Sequence, residues 1–299
     1  MKKITIIATF IIVFSTLLSA CGGSAPSAAD LLEEIQNRGY ILVSTDPNYE
    51  PQSFLNTTGQ RPSDTICPSD ALTSSEMQGF DVDVAVEIGN RLGVETCFAT
   101  PEWDMVTAGN WADKWDISVG SMTIKPARQV VLDFSTPYYY TPAMVGALDS
   151  SGLTSVDDLA GQAVCVGTST TYEDWLNGIL DLPASSIYAQ PPAGVTVVSL
   201  PTDQECAQAL AAGRTDFIAY ITSDTVIDAN IAAGMPVMKV GKAIFSEDLA
   251  VAIDKAHSLP IDTLLQAVDD AVIEMHTDGT LSNLSNKWFG YDLTQDPSK

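Results

Sequence analysis

The sequence predicts an α/β protein of two lobes, each a sheet flanked by helices. Three observations carry that prediction. Short apolar runs of strand length alternate with amphipathic helical runs from residue 40 to residue 221, the pattern of parallel strands joined by crossover helices. At 299 residues, 45% of them apolar, the chain is too long for one simple core and suits two medium ones. The C-terminal part drops the alternation for one strand and two helices, as expected of a chain that returns to its first lobe and so crosses between lobes twice. The resulting division is 30–145 for the first part of lobe 1, 146–243 for lobe 2, 244–292 for the return to lobe 1 and 293–299 for a tail.

Each element has a local reason. Residues 29–38 place Leu31, Leu32 and Ile35 on one helical side, and Gly39 stops the helix. Tyr40-Ile-Leu-Val-Ser44 is a compact strand that runs into a proline-punctuated loop ending at Pro51. Residues 56–79, rich in Thr, Ser, Pro, Asp and Gly, form an inserted surface loop carrying Cys67. Phe80 to Leu92 is amphipathic, with Val84, Ile88 and Leu92 at four-residue steps and Gly93 beyond the end. Val94 to Phe98 is a strand, and Pro101-Glu-Trp-Asp104 a strand-to-helix turn that displays an aromatic ring. Lobe 2 offers strands at 162–167, 195–200 and 216–221. Thr202-Asp-Gln-Glu205 has capping-box spacing ahead of a helix at 205–212, closed by Gly213. The return segment reads as a strand at 249–253, a helix at 261–275 with Leu264, Val268 and Val272 in step, and a short helix ending in Lys287-Trp-Phe-Gly290.

The ends and the charges set an address. Lys2-Lys3 precede an apolar run, Ile4 to Leu18, that is short for a membrane span and reads as a secretory signal over residues 1–20. Cys21, directly after Leu18-Ser19-Ala20, resembles the lipidated first residue of a bacterial lipoprotein, and residues 21–29 then form a flexible tether. Losing residues 1–20 removes two lysines and no acids, moving the formal charge from −24 to −26. So acidic a surface argues against nucleic acid or anionic membrane as partner, leaving the lipid as the only membrane contact. The other cysteines, Cys67, Cys97, Cys165 and Cys206, suit two disulfides in an exported protein; proximity along the chain favours 67–97 and 165–206. No zinc spacing or other metal motif is present, no cofactor is implied, and the Gly-Thr-Ser-Thr-Thr stretch lacks the lysine of a phosphate-binding loop.

The chemistry concentrates at Asp116 to Arg128. An apolar strand, Ile117 to Val119, is expected to break at Gly120-Ser121. Thr123 then offers a hydroxyl and Arg128 a guanidinium, with Pro126 favouring a helix start between them. A strand end feeding a helix start beside a fixed cation is a carboxylate-binding arrangement. Trp111, Trp115 and Trp175 read as packing residues, Tyr138-Tyr-Tyr140 as packing near a hinge, and His257 and His276 as helix or loop surface.

Taken in order, Gly79-Phe-Asp-Val-Asp83, Asp116 to Arg128, Leu132-Asp-Phe-Ser-Thr-Pro-Tyr138, Asp157-Asp-Leu-Ala-Gly161, Ala211-Ala-Gly-Arg-Thr-Asp216 and Lys287-Trp-Phe-Gly290 resemble the family 3 extracytoplasmic solute-binding proteins of ABC importers. The resemblance covers about residues 37–290. It implies a periplasmic-binding-protein-like fold, two lobes joined by two hinge strands that close on a ligand. It assigns Arg128 to a ligand α-carboxylate, with Thr123 adding its hydroxyl and N–H, and the Ser121 carbonyl to the ligand ammonium group. Thr170 and Thr171 match a segment whose N–H groups complete the carboxylate site, with Ser169 in place of its glycine. Tyr49 and Trp103 match an aromatic pair around the ligand side chain, and Asp46 a position that touches the ligand. One departure stands out: the family's ammonium-binding aspartate falls on Ile221, and Asp224 is the nearest replacement.

The expectation is therefore a monomeric lipoprotein, anchored outside the bacterial cell membrane, that captures an amino acid or related carboxylate and delivers it to an ABC permease without bond chemistry. The alternative is a secreted enzyme resembling cyclohexadienyl dehydratases, which share the fold.

Overall fold

The computed structural model describes residues 28–297. The signal segment, Cys21 and most of the tether lie outside the described residues.

Lobe 1 opens with α1 (Leu31–Arg38), started by the Asp30 carboxylate accepting from the Glu33 N–H and ended by Gly39 at φ 83°. It continues with β1 (Tyr40–Ser44), three short strands β2 (Asn48–Tyr49), β3 (Ser53–Leu55) and β5 (Met77–Gln78) that form their own sheet, and β4 (Leu72–Thr73) at the edge of the main one. Next come α2 (Phe80–Leu92), β6 (Glu95–Ala99), α3 (Trp103–Thr107), β7 (Ile117–Thr123), α4 (Pro126–Gln129) and β8 (Leu132–Phe134). The long strand β9 (Tyr139–Leu148) leads into lobe 2, made of β10 (Ala163–Gly167), α5 (Thr171–Leu176), β11 (Thr196–Leu200), α6 (Asp203–Ala211), β12 (Ala219–Ser223) and α7 (Asp224–Ala232). The 18-residue strand β13 (Val237–Asp254) returns the chain, and α8 (Asp262–Thr277) and α9 (Thr280–Phe289) complete lobe 1.

The expected pair of parallel sheets is corrected to one mixed sheet, in the order β11-β10-β12-β9-β13-β7-β1-β6-β4. The trios β11-β10-β12 and β7-β1-β6 are parallel, while β9 and β13 between them are antiparallel to each other and to their outer neighbours. The reason lies in connectivity: a strand that leaves a lobe and one that returns must run in opposite directions. Their pairing shifts register between Val240 and Phe245, so each strand serves both sides. Ile35, Phe80, Ile117 and Val272 share one apolar core, whereas Val145, Val166, Trp175 and Ile221 share another.

Cys67 is bonded to Cys97, fastening the loop after β3 to β6, and Cys165 to Cys206, fastening β10 to α6. Trp111, Trp115 and Trp175 are buried packing residues. Three local expectations change. The strand at 117–119 does not end at Gly120 but runs on to Thr123, because Ser121 turns through a left-handed conformation (φ 52°) and the chain rejoins β13 with Met122 opposite Ala250 and Thr123 opposite Leu249. The strand expected at 216–221 lies at 219–223, which moves Asp224 to the first turn of α7. His257 is not on the surface: its ring is 8% exposed and sits 3.4 Å from the Asp113 carboxylate. In the tail, the Tyr140 N–H donates to the Leu293 carbonyl and Thr294 is buried.

Candidate functional site

Where the C-terminal ends of the parallel strands of both lobes converge, a cleft of about 480 Å³ opens. Such strand ends are where open α/β sheets place ligands. Lobe 1 contributes Asp46, Tyr49, Trp103, Ser121, Thr123 and Arg128; lobe 2 contributes Thr170, Thr171, Tyr172, Thr202 and Asp203; and the crossing strand β13 contributes Glu247.

The lobes touch across this cleft. The Arg128 guanidinium donates from Nη1 to the Thr123 carbonyl on its own side and from Nη2 to the Ser169 carbonyl opposite, each at 3.1 Å. The Tyr49 and Tyr172 hydroxyls meet at 3.4 Å, Gln52 Nε2 donates to Thr225 Oγ1 at 2.6 Å, and Lys125 pairs with Asp174. These contacts describe a closed arrangement.

Arg128 is 3% exposed, yet both of its hydrogen-bond partners are neutral carbonyls and its Nε has none. Burial lowers its pKa to about 10, against the support of the Glu247 charge, so it stays cationic at neutral pH. Its Cζ lies 5.3 Å from the Trp103 ring centroid, in the range of a cation–π contact.

Ser121 and Ser169, the two residues that shape the backbone here, both hold positive φ (52° and 61°) without being glycine. Such conformations cost roughly 1–3 kcal/mol each and persist where the surroundings enforce them. Ser121 is pinned by its surroundings: its N–H donates to the Tyr138 hydroxyl, and its own hydroxyl donates to buried Asp81 and meets the Tyr139 hydroxyl. Tyr138 and Tyr139 thus support the cleft from beneath, a role the sequence reading did not give them. Ser169 holds a left-handed conformation, which a glycine adopts at lower cost. The Thr170 hydroxyl is occupied as the N-cap of α5, accepting from the Glu173 N–H and donating to the Gly167 carbonyl.

The structure brings every sequence-nominated ligand residue to the cleft except Asp224. That carboxylate accepts from Thr141 Oγ1 at 3.1 Å and from the Tyr291 hydroxyl at 3.4 Å, and lies 3.6 Å from Lys239 Nζ, so it ties the two crossing strands together instead. Ile221 is fully buried in the lobe 2 core.

No motif in the sequence marks Glu247, Asp203 or Tyr172 as cleft residues. Glu247 is 2% exposed; its Oε1 accepts from Thr123 Oγ1 at 2.6 Å and Thr171 Oγ1 at 2.5 Å, and its Oε2 from the Tyr172 hydroxyl at 2.9 Å. Burial raises its pKa against the pull of those hydroxyls and of Arg128. Asp203, at the first position of α6, accepts from the Thr222 hydroxyl and is pushed up by burial to about 7. Burial likewise raises Asp46 to about 6, although it accepts from the Asn48 N–H. The Tyr172 hydroxyl joins Glu247 to the Tyr49 hydroxyl. Among the described residues no cluster has the make-up of a metal site.

A cleft between two lobes, walled by aromatic rings and carrying a buried cation at one end and buried acids beside it, has the make-up of a small-molecule binding site. The chain belongs to the bacterial extracellular solute-binding proteins, family 3, whose pattern it matches over residues 41–291. It is 32% identical over 278 residues to the L-cystine-binding protein TcyJ of Escherichia coli K12, covering 92% of each chain, and 26% identical to the L-cystine-binding protein TcyA of Bacillus subtilis 168, covering 99% of this chain and 100% of that one. Among solved structures it resembles a mutant of ArgBP from T. maritima (25% identity, TM-score 0.69, 87% and 99% covered). It also resembles the ancestral amino acid-binding protein AncCDT-1, a precursor of cyclohexadienyl dehydratase (27% identity, TM-score 0.69, 86% and 99% covered).

Proposed function

We propose that this protein is the substrate-capturing subunit of an ABC importer, taking a free amino acid or a close derivative and presenting it to the permease. The observation that carries the reading is Arg128, a buried cation held at the cleft wall by two carbonyls and no carboxylate. A ligand carboxylate supplies what that guanidinium lacks. Capture proceeds by hinge closure about β9 and β13, with lobes at 30–145 plus 244–292 and at 146–243, and with no bond made or broken. Ligand favours the closed state only by the contacts it makes with both lobes at once.

Leu18-Ser19-Ala20-Cys21 supports export as a lipoprotein held at the outer face of the bacterial cell membrane. Among the described residues no helix is long and apolar enough to cross a membrane. Mass spectrometry of the N-terminal peptide tests the anchor: a diacylglyceryl adduct on Cys21 is expected, and an unmodified cysteine in the mature protein rejects it.

A thermal-shift screen over amino acids, amines and organic acids tests the main reading. A ligand at 100 times its dissociation constant should stabilise the protein by about 2.7 kcal/mol. If organic acids without an amino group shift the protein and no amino acid does, the reading fails. One observation keeps an enzymatic second reading in view: Asp203, with its pKa near 7, offers a partly protonated acid inside the cleft. Turnover of prephenate or arogenate by purified protein would establish that reading; recovery of unchanged compound removes it.

A further inference from the structure

We propose that Glu247, on the second crossing strand, is the counter-charge for the ligand's α-ammonium group. The assignment rests on reading the cleft as an amino acid site and names the group that reading leaves open.

The position expected to supply an aspartate holds Ile221, which is buried in lobe 2, and the nearest acid, Asp224, already faces Lys239 and two hydroxyls outside the cleft. The α-carboxylate and α-ammonium groups of an amino acid hang on one carbon. Whatever binds the second must therefore lie beside whatever binds the first. Thr123 joins the two ends here: its carbonyl accepts from Arg128, and its hydroxyl donates to Glu247. Glu247 is also the acid whose charge supports Arg128 most strongly.

The oxygens of Glu247 are spoken for only in part. A carboxylate has about four acceptor positions. Three hydroxyls, from Thr123, Thr171 and Tyr172, fill three of them, two on Oε1 and one on Oε2. One position on Oε2 is left, and no cation pairs with the carboxylate among the described residues. These three donors come from both lobes, so the carboxylate is held in place when the cleft is closed. Asp46 and Asp203 fit the role less well. Asp46 is turned to its own Asn48 N–H and also borders a neighbouring chamber that Arg128 does not line, while Asp203 is bonded to Thr222 on β12.

The test compares L-amino acids with the same molecules lacking the α-amino group. Isothermal titration calorimetry is run on the wild type and on Glu247→Gln with two pairs: L-cystine and dithiodipropionate, and L-arginine and guanidinovalerate. Wild type should bind at least one amino acid and prefer it to its deaminated partner, and Glu247→Gln should reduce that preference at least about tenfold. A smaller reduction overturns the assignment while leaving the amino acid reading intact. Failure of wild type to bind either amino acid, when it binds a deaminated partner, overturns both. Should Glu247→Gln not fold, Glu247→Asp reads the same quantity: drawing the carboxylate back by one methylene should also weaken the preference at least about tenfold, and an unchanged preference overturns the assignment.

Discussion

The Arg128 end of the cleft and the Glu247 end answer the same problem with opposite charges. Arg128 is a buried cation that donates to two carbonyls, and Glu247 a buried carboxylate that accepts from three hydroxyls. Both are nearly sealed from solvent, at 3% and 2% exposure. Neither makes an ion pair with the other or with any described residue, although Thr123 links them. Keeping two opposite charges buried and apart is costly, since each loses its hydration without gaining a direct partner. A zwitterion lying between them relieves both costs at once. The ends also differ in titration: burial leaves Arg128 charged up to about pH 10, while it raises Asp203 to about 7 and Asp46 to about 6 and pushes the Glu247 carboxyl upward.

The largest effect should come from removing the cation. Arg128→Ala is expected to weaken binding of the best amino acid found by calorimetry by about 2–5 kcal/mol, much of it from leaving the ligand carboxylate unpaired. Near-native affinity would break the comparison, because the carboxylate would then be held elsewhere.

A smaller effect should appear in the pH dependence of stability. Asp203 and Asp81 are pushed by burial to about 7 and Asp46 to about 6, and Glu247 is also raised. Their unfolded values lie near 4, so between roughly pH 4 and pH 7 the folded state binds more protons than the unfolded one. Stability then falls as pH rises through that window. Asp278, held at about 2 by Thr280 and Arg91, works the other way, but its contribution fades only below about pH 4. The ligand-free protein should therefore melt higher at pH 5 than at pH 8, by roughly 2–4 °C per kcal/mol recovered for a chain of this size. Saturating ligand should flatten the slope, because an ammonium group lowers the cost of ionised Glu247. A melting temperature that climbs from pH 5 to pH 8 in the absence of ligand would contradict this account.

The two ends were not equally legible in the sequence. Arg128 announces itself: Pro126 fixes a helix start, a hydroxyl precedes it, and a cation is rare in a chain with 14 basic and 38 acidic residues. Helix α2 was equally plain, with its four-residue apolar step and Gly93 at φ 74°. Glu247 had no such contrast, being one acid among many. The apolar run at 249–253 predicts a strand beginning at Leu249, whereas β13 starts at Val237 and places Glu247 in its interior. The available signal was an acid pair, Glu247-Asp248, enclosed between Ile244-Phe245 and a run of apolar residues from Leu249. A local pattern also cannot reveal that Thr123 and Thr171, 48 positions apart, converge on one oxygen. That convergence is set by how the two lobes pack against each other.

The smallest expected effect is the most discriminating. Asp224 and Glu247 are both largely buried acids with raised pKa values, both near the crossing strands. They differ in company. Asp224 has Lys239 at 3.6 Å and hydroxyls from Thr141 and Tyr291, all outside the cleft, whereas Glu247 has hydroxyls alone and faces into it. Asp224→Asn removes a charge that already has a partner and should cost stability by about 1 kcal/mol, as a long and partly exposed ion pair allows. Because Thr141 and Lys239 belong to β9 and β13, the change can also shift the balance between open and closed forms, and with it the affinity for every ligand alike. It should not alter the ratio between L-arginine and guanidinovalerate measured by calorimetry. A uniform loss with an unchanged ratio marks Asp224 as a hinge residue. A ratio that collapses in Asp224→Asn would transfer the ammonium site from β13 to the start of α7.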